Sequence, residues 1–61
     1  LKPRVKLVGE NGNIFNLIAI CSRALKSAGL REQAKEMQEK CMSAGSYEEA
    51  LNIMLDYCEV C

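Results

Sequence analysis

From Ile14 onward, apolar residues recur at intervals of three and four, and Gly29 and Gly45 interrupt the recurrence. That spacing places apolar side chains on one face of a helix. The two glycines cut it into three helices with very short links, which forces neighbours to run antiparallel or to meet at a sharp angle. The first helix is expected over residues 14–28, with Asn13 as its N-cap. It is expected to bury Ile14, Leu17, Ile18, Cys21, Ala24, Leu25 and Ala28 and to turn Asn16, Arg23, Lys26 and Ser27 outward. Gly29 followed by Leu30 predicts a Schellman ending, with Leu30 packing on Leu25. The second helix is expected over residues 31–44, along the seam Leu30, Ala34, Met37, Cys41 and Ala44. Ser46 with Glu49 three residues later reads as a capping box. It opens a third helix over residues 47–60 whose inner face carries Tyr47, Ala50, Leu51, Met54, Cys58 and Cys61.

Ahead of the helices, Arg4-Val5-Lys6-Leu7-Val8 alternates basic and apolar residues up to Gly9. This is a strand signal over residues 4–8, followed by a turn at Glu10-Asn11-Gly12-Asn13. No other segment reads as a strand. The strand is therefore expected either to lie along the helices or to pair with the same strand of a second copy. The predicted fold is α+β but mostly α: one domain over residues 1–61, a short N-terminal strand and then a three-helix bundle.

A chain of 61 residues buries a small core, so its stability margin should be thin. Its composition, 49% apolar and 26% charged, is that of a globular rather than a disordered protein. No apolar run is long enough to span a bilayer and no signal-peptide pattern is present, so a cytoplasmic protein with no membrane partner is expected. The zero net charge hides an asymmetry. Residues 1–31 carry six basic side chains against Glu10, a net of +5, and residues 32–61 carry a net of −5. The simplest account is complementarity between helices of one molecule. The alternatives are opposite patches meeting between subunits, or a basic half that faces a polyanion.

Four cysteines, Cys21, Cys41, Cys58 and Cys61, raise the questions of a disulfide framework and a zinc site. All four fall on expected inner faces, and free cysteine is commonly buried. In an up-down-up bundle their thiols sit at different heights, so no metal site is assigned. Cys58-x-x-Cys61 at a helix C-terminus, near Asp56 and Glu59, lacks the positive dipole that activates redox pairs. There is no histidine. Gly9-Glu10-Asn11-Gly12-Asn13 lacks the Lys-Ser/Thr ending of a phosphate loop. No catalytic residue and no cofactor is assigned, and the chain is read as non-enzymatic.

Two functional readings follow. The leading one is a protein-interaction module, self-associating as a homodimer through the strand and the apolar residues off the helical faces: Val5, Leu7, Phe15, Ile20, Ile53 and Val60. Met42 and Leu55 also lie off those faces. The alternative is a nucleic-acid-binding accessory protein using Lys2, Arg4, Lys6, Arg23, Lys26 and Arg31. The corner between the first two helices, at Ala28-Gly29-Leu30, suits a helix-turn-helix. Glu32, Glu36 and Glu39, however, make the second helix a poor reader of a phosphate backbone.

The segment Val5 to Phe15, Val-Lys-Leu-Val-Gly-Glu-Asn-Gly-Asn-Ile-Phe, resembles the opening of small uncharacterised bacterial proteins of phages and of integrating or conjugative elements. Those proteins share a strand, a Gly-Glu-Asp/Asn-Gly-Asn turn, an apolar helix with a basic end and an acidic C-terminal helix. Only the turn is specific at residue level. The resemblance implies a bacterial, cytoplasmic, mobile-element origin and brings no activity or site residues.

Overall fold

The computed structural model describes residues 1–61. In chain order they form β1 (Arg4–Val5), α1 (Ile14–Ser27), α2 (Arg31–Met42), α3 (Tyr47–Leu55) and β2 (Glu59–Val60). The fold is α+β and mostly α, as expected.

Helix boundaries follow their capping residues. The Asn13 side chain accepts the Phe15 backbone N–H at 2.9 Å and starts α1. At its end, the Leu30 N–H donates to the Leu25 carbonyl at 2.8 Å and the Gly29 N–H to the Lys26 carbonyl at 3.0 Å. That pair of bonds is the Schellman arrangement. It holds Gly29 at a positive φ, which glycine adopts without a Cβ penalty. At α3 the Ser46 hydroxyl accepts the Glu49 N–H at 3.1 Å, but the Glu49 carboxylate turns to the Gly45 N–H at 3.2 Å. The capping box is therefore made in one direction, with its return bond shifted by one residue.

The C-terminal segment departs from expectation. Instead of continuing to residue 60, α3 stops at Leu55, and the N–H groups of Tyr57 and Cys58 both turn back to the Met54 carbonyl at 3.0 Å. The chain then extends as β2 and pairs in parallel with β1, Arg4 opposite Glu59 and Val5 opposite Val60. Glu59 donates its N–H to the Pro3 carbonyl at 2.8 Å, and Cys61 to the Val5 carbonyl at 2.9 Å. Tyr-Cys-Glu-Val-Cys suits a strand better than a helix, and β1 offers backbone groups that otherwise lack partners. The N-terminal strand thus finds a partner within the chain. It is also shorter than residues 4–8, because Leu7 already accepts the Glu10 N–H at 3.1 Å in a turn. At the other boundary, α2 ends at Met42 rather than residue 44.

The core lies between the three helices and under β1. Leu25, Met37 and Met54 are fully buried, with Leu17, Ile18, Ala34, Ala50 and Val5 around them. One buried hydroxyl, Ser22, accepts the Gln38 side-chain N–H at 3.0 Å and ties α1 to α2. Cys58, whose N–H still closes on the Met54 carbonyl, forms a disulfide with Cys21 in the middle of α1 across 37 residues. Both bonded cysteines are out of solvent, Cys41 is buried and free, and Cys61 is exposed rather than on an inner face.

Candidate interaction surface

Where α1 starts, α2 ends and α3 starts, the helices leave a groove of about 280 Å³. Ile14, Ile18, Cys41 and Ala50 form its floor, and Phe15, Met42 and Tyr47 form its walls. The walls reach solvent: Phe15 is 63% exposed, Met42 67% and Tyr47 48%. Phe15 follows Ile14 at the first turn of α1, so its ring points away from the inner face that Leu17 and Ile18 share. The apolar spacing of α3 puts Tyr47 inside. It stands instead at the rim, its hydroxyl donating to the Gly12 carbonyl at 2.7 Å and fixing the turn before α1 against α3. Three large apolar side chains around one groove form a contiguous patch, unlike scattered surface apolar residues.

The groove has little chemistry to offer. The Cys41 thiol at its floor approaches the Ala50 carbonyl at 3.5 Å and the Met37 sulfur at 3.6 Å. Burial pushes this thiol above its ordinary pKa, which suppresses the thiolate a nucleophile needs.

Comparison with known proteins decides nothing further. No family model, curated protein or solved structure matches the chain. The functional reading therefore rests on the groove and on the charges around it.

The residues expected at an interface separate into two groups. Phe15 and Val60 are exposed, Val60 at 41% on β2 and away from the groove. Val5 belongs to the core, and Leu7, Ile20 and Ile53 are half-buried against it. Met42 is marked in the sequence by its place off the seam of α2. Tyr47 carries no such mark, because an aromatic residue just inside a helix start is as readily inward as outward.

The charge asymmetry is not neutralised within the molecule. Only two ion pairs form: Arg4 with Glu59 at 3.0 Å between β1 and β2, and Lys40 with Glu36 at 3.5 Å along α2. No ion pair joins two helices, and the one that links the basic and acidic halves runs between β1 and β2. Of the candidate nucleic-acid residues, Arg4 is in the first pair and the Lys2 ammonium donates to the Leu55 carbonyl at 3.1 Å. Lys6, Arg23, Lys26 and Arg31 are exposed and pair with no carboxylate. Arg23 and Lys26 lie on the last turns of α1 and Arg31 opens α2, so these three flank one corner of the bundle.

A separate surface cluster fastens the chain after α3 to α2. The Tyr57 hydroxyl donates to Glu36, and the Lys40 ammonium sits 5.6 Å from the centre of the Tyr57 ring. The Tyr57 hydrogen bond, and then the Lys40 charge, hold Glu36 below its ordinary pKa, because both favour the charged carboxylate. Tyr57 and then Glu36 hold Lys40 above its own. These groups are spent on structure and leave Glu32 and Glu39 as the free carboxylates of that helix.

No helix is long and apolar enough to cross a membrane.

Proposed function

We propose that the protein is a non-enzymatic interaction module that self-associates, with a second copy of the chain covering the Phe15–Met42–Tyr47 groove. The observation that carries this reading is the exposure of three large apolar side chains around one groove. The second copy is favoured as occupant by charge. Each molecule carries Arg23 and Lys26 on α1 and Glu48 on α3 without an ion-pair partner of its own, charges that a second copy can complement. A bacterial mobile-element origin, implied by the turn from Gly9 to Asn13, belongs to the same proposal.

Location is part of it too. Cytosolic thiols are held reduced, so a cytoplasmic protein keeps a disulfide only if its sulfurs are shielded from attacking thiolates. Cys21 is 0% exposed and Cys58 1%, which slows reduction of the bond once formed; a disulfide is nevertheless rare in the cytosol and weighs against the cytoplasmic part of the proposal.

Sedimentation across a range of concentrations tests the reading. Wild type is expected to shift from monomer to dimer as concentration rises, with high salt weakening the dimer by screening its charge contacts but not abolishing it, because the apolar groove is covered in either case. Phe15→Asp is expected to weaken the dimer at least about thirtyfold, the scale of a central interface residue. Its monomer stability should change by no more than about 0.5 kcal/mol, as for an exposed position. A wild type that stays monomeric throughout, or a Phe15→Asp variant that dimerises as well as wild type, removes the proposal.

One observation supports a second reading, a nucleic-acid accessory protein: the unpaired Arg23, Lys26 and Arg31 at the α1–α2 corner. A shift of labelled DNA or RNA that weakens steeply with salt, and that disappears when all three are changed to Gln, is the expected result. Binding unaltered in that triple variant would take these residues out of the case.

A further inference from the structure

We propose that the dimer forms by antiparallel packing of α1 against α1 of the second copy, so that Arg23 and Lys26 of each molecule meet Glu48 of the other. This arrangement rests on the self-association proposed above and specifies it.

The outward stripe of α1 supports it. Phe15, Ala19, Arg23 and Lys26 follow one another four, four and three residues apart, the spacing of neighbours on a helix surface. Phe15 is exposed at the first turn, Ala19 and the adjacent Ile20 are half-buried in the middle, and Arg23 and Lys26 are exposed near the end. The stripe is thus aromatic at one end, small at the centre and basic at the other. From Phe15 to Lys26 it spans about 16 Å along the helix axis. A two-fold axis near Ile20 lays the aromatic end of one stripe against the basic end of the other, the self-complementary contact a closed dimer requires. Ala19 at the centre lets the helix backbones approach closely.

The aromatic end comes with negative charge. Tyr47 shares the groove wall with Phe15, and Glu48 follows it on the first turn of α3. Glu48 pairs with no cation of its own chain, and neither Arg23 nor Lys26 pairs with a carboxylate. Glu49 is already bound to the Gly45 N–H, which leaves Glu48 as the free carboxylate of that turn. In the antiparallel pair the alkyl stems of Arg23 and Lys26 cover the partner's Phe15 ring while their charged ends reach Glu48. Both halves of the observed asymmetry are then used, twice over, in one interface.

The test is a charge swap in the full chain. R23E/K26E and E48K are each expected to weaken the dimer about a hundredfold or more, because like charges then face each other at both contacts. Mixed in equal amounts, the two variants should recover a mixed dimer, since each supplies the charge the other has lost. The neutral variants R23Q/K26Q and E48Q should each weaken the dimer less, and their mixture should recover only in part, because the mixed dimer restores one of the two contacts. All three positions are exposed, so circular dichroism of each variant should match wild type. Charge-reversed variants that still dimerise, or a mixture that stays monomeric while wild type dimerises, would overturn the antiparallel arrangement and leave self-association standing. A wild type without any dimer would instead remove the reading on which the arrangement rests.

Discussion

Reduction of the Cys21–Cys58 bond is expected to lower the stability of the folded monomer by about 4 kcal/mol. The bond closes a loop of 37 residues, and the chain-entropy relation for a loop of that size gives about that figure. A folded chain of 61 residues has roughly 3–9 kcal/mol in all, at typical per-residue stability. Loss of the bond therefore removes roughly half or more of the stability, and at the low end of that range unfolds the protein. The damage should begin at β2. Cys58 immediately precedes that strand, which holds to the rest of the chain through the Glu59 and Cys61 N–H groups and one exposed ion pair. Such a pair contributes at most about 1 kcal/mol. Urea melts of the oxidised protein, the fully reduced protein and the C21A/C58A variant measure the difference, with C41A as a core-cysteine control that keeps the cross-link. A reduced protein within about 1 kcal/mol of the oxidised one would mean that packing alone holds the fold. The rate matters as well. Both sulfurs are shielded, so millimolar glutathione should reduce the bond far more slowly than an exposed disulfide. Rapid loss of the bond in that buffer would count against a cytoplasmic role.

The helices are legible in the sequence because each carries several independent signals that agree. For α1 these are the Asn13 cap, the apolar face and the Gly29-Leu30 stop, and the structure makes the hydrogen bonds that the cap and the stop imply. The end of the chain is not legible, because only one signal is available there. Cys58 and Cys61 continue the spacing set by Ala50 and Met54, and spacing over five residues cannot separate a helix turn from a short strand. What decides the conformation is β1, more than fifty residues away in sequence, and no local pattern reports a partner at that distance. The disulfide is hidden because which cysteines pair depends on how α1 and α3 pack, and spacing along the chain does not report that. The charge asymmetry is visible in the sequence, whereas its lack of internal pairing needs coordinates. Within the candidate surface, Phe15 and Met42 are marked by lying off the helical faces. Tyr47 is hidden because its ring counts as apolar in a periodic pattern while its hydroxyl anchors it at the rim.

Leu25→Ala is expected to destabilise the monomer by about 3 kcal/mol or more. Leu25 is 0% exposed and is among the largest fully buried side chains. Its backbone carbonyl accepts the 2.8 Å bond from Leu30 that closes α1, and the expected Leu30 packing depends on the same side chain. Truncation to alanine loses the transfer energy of the removed carbons and leaves a cavity, together about 2–5 kcal/mol at buried leucines. Relaxation into that cavity is limited, because Met37 and Met54 are themselves fully buried and the disulfide pins α1 nearby. The informative comparison is Phe15→Ala, which removes a larger side chain from the same helix. Phe15 is 63% exposed. Its truncation should therefore leave monomer stability within about 0.5 kcal/mol of wild type. The two variants then separate folding from association. Leu25→Ala should lower the urea midpoint steeply, while the fraction still folded dimerises normally. Phe15→Ala should keep the midpoint measured on dilute monomer and lose the dimer. If Phe15→Ala instead lowers the dilute midpoint as Leu25→Ala does, the ring is part of the core and the groove is not a free surface.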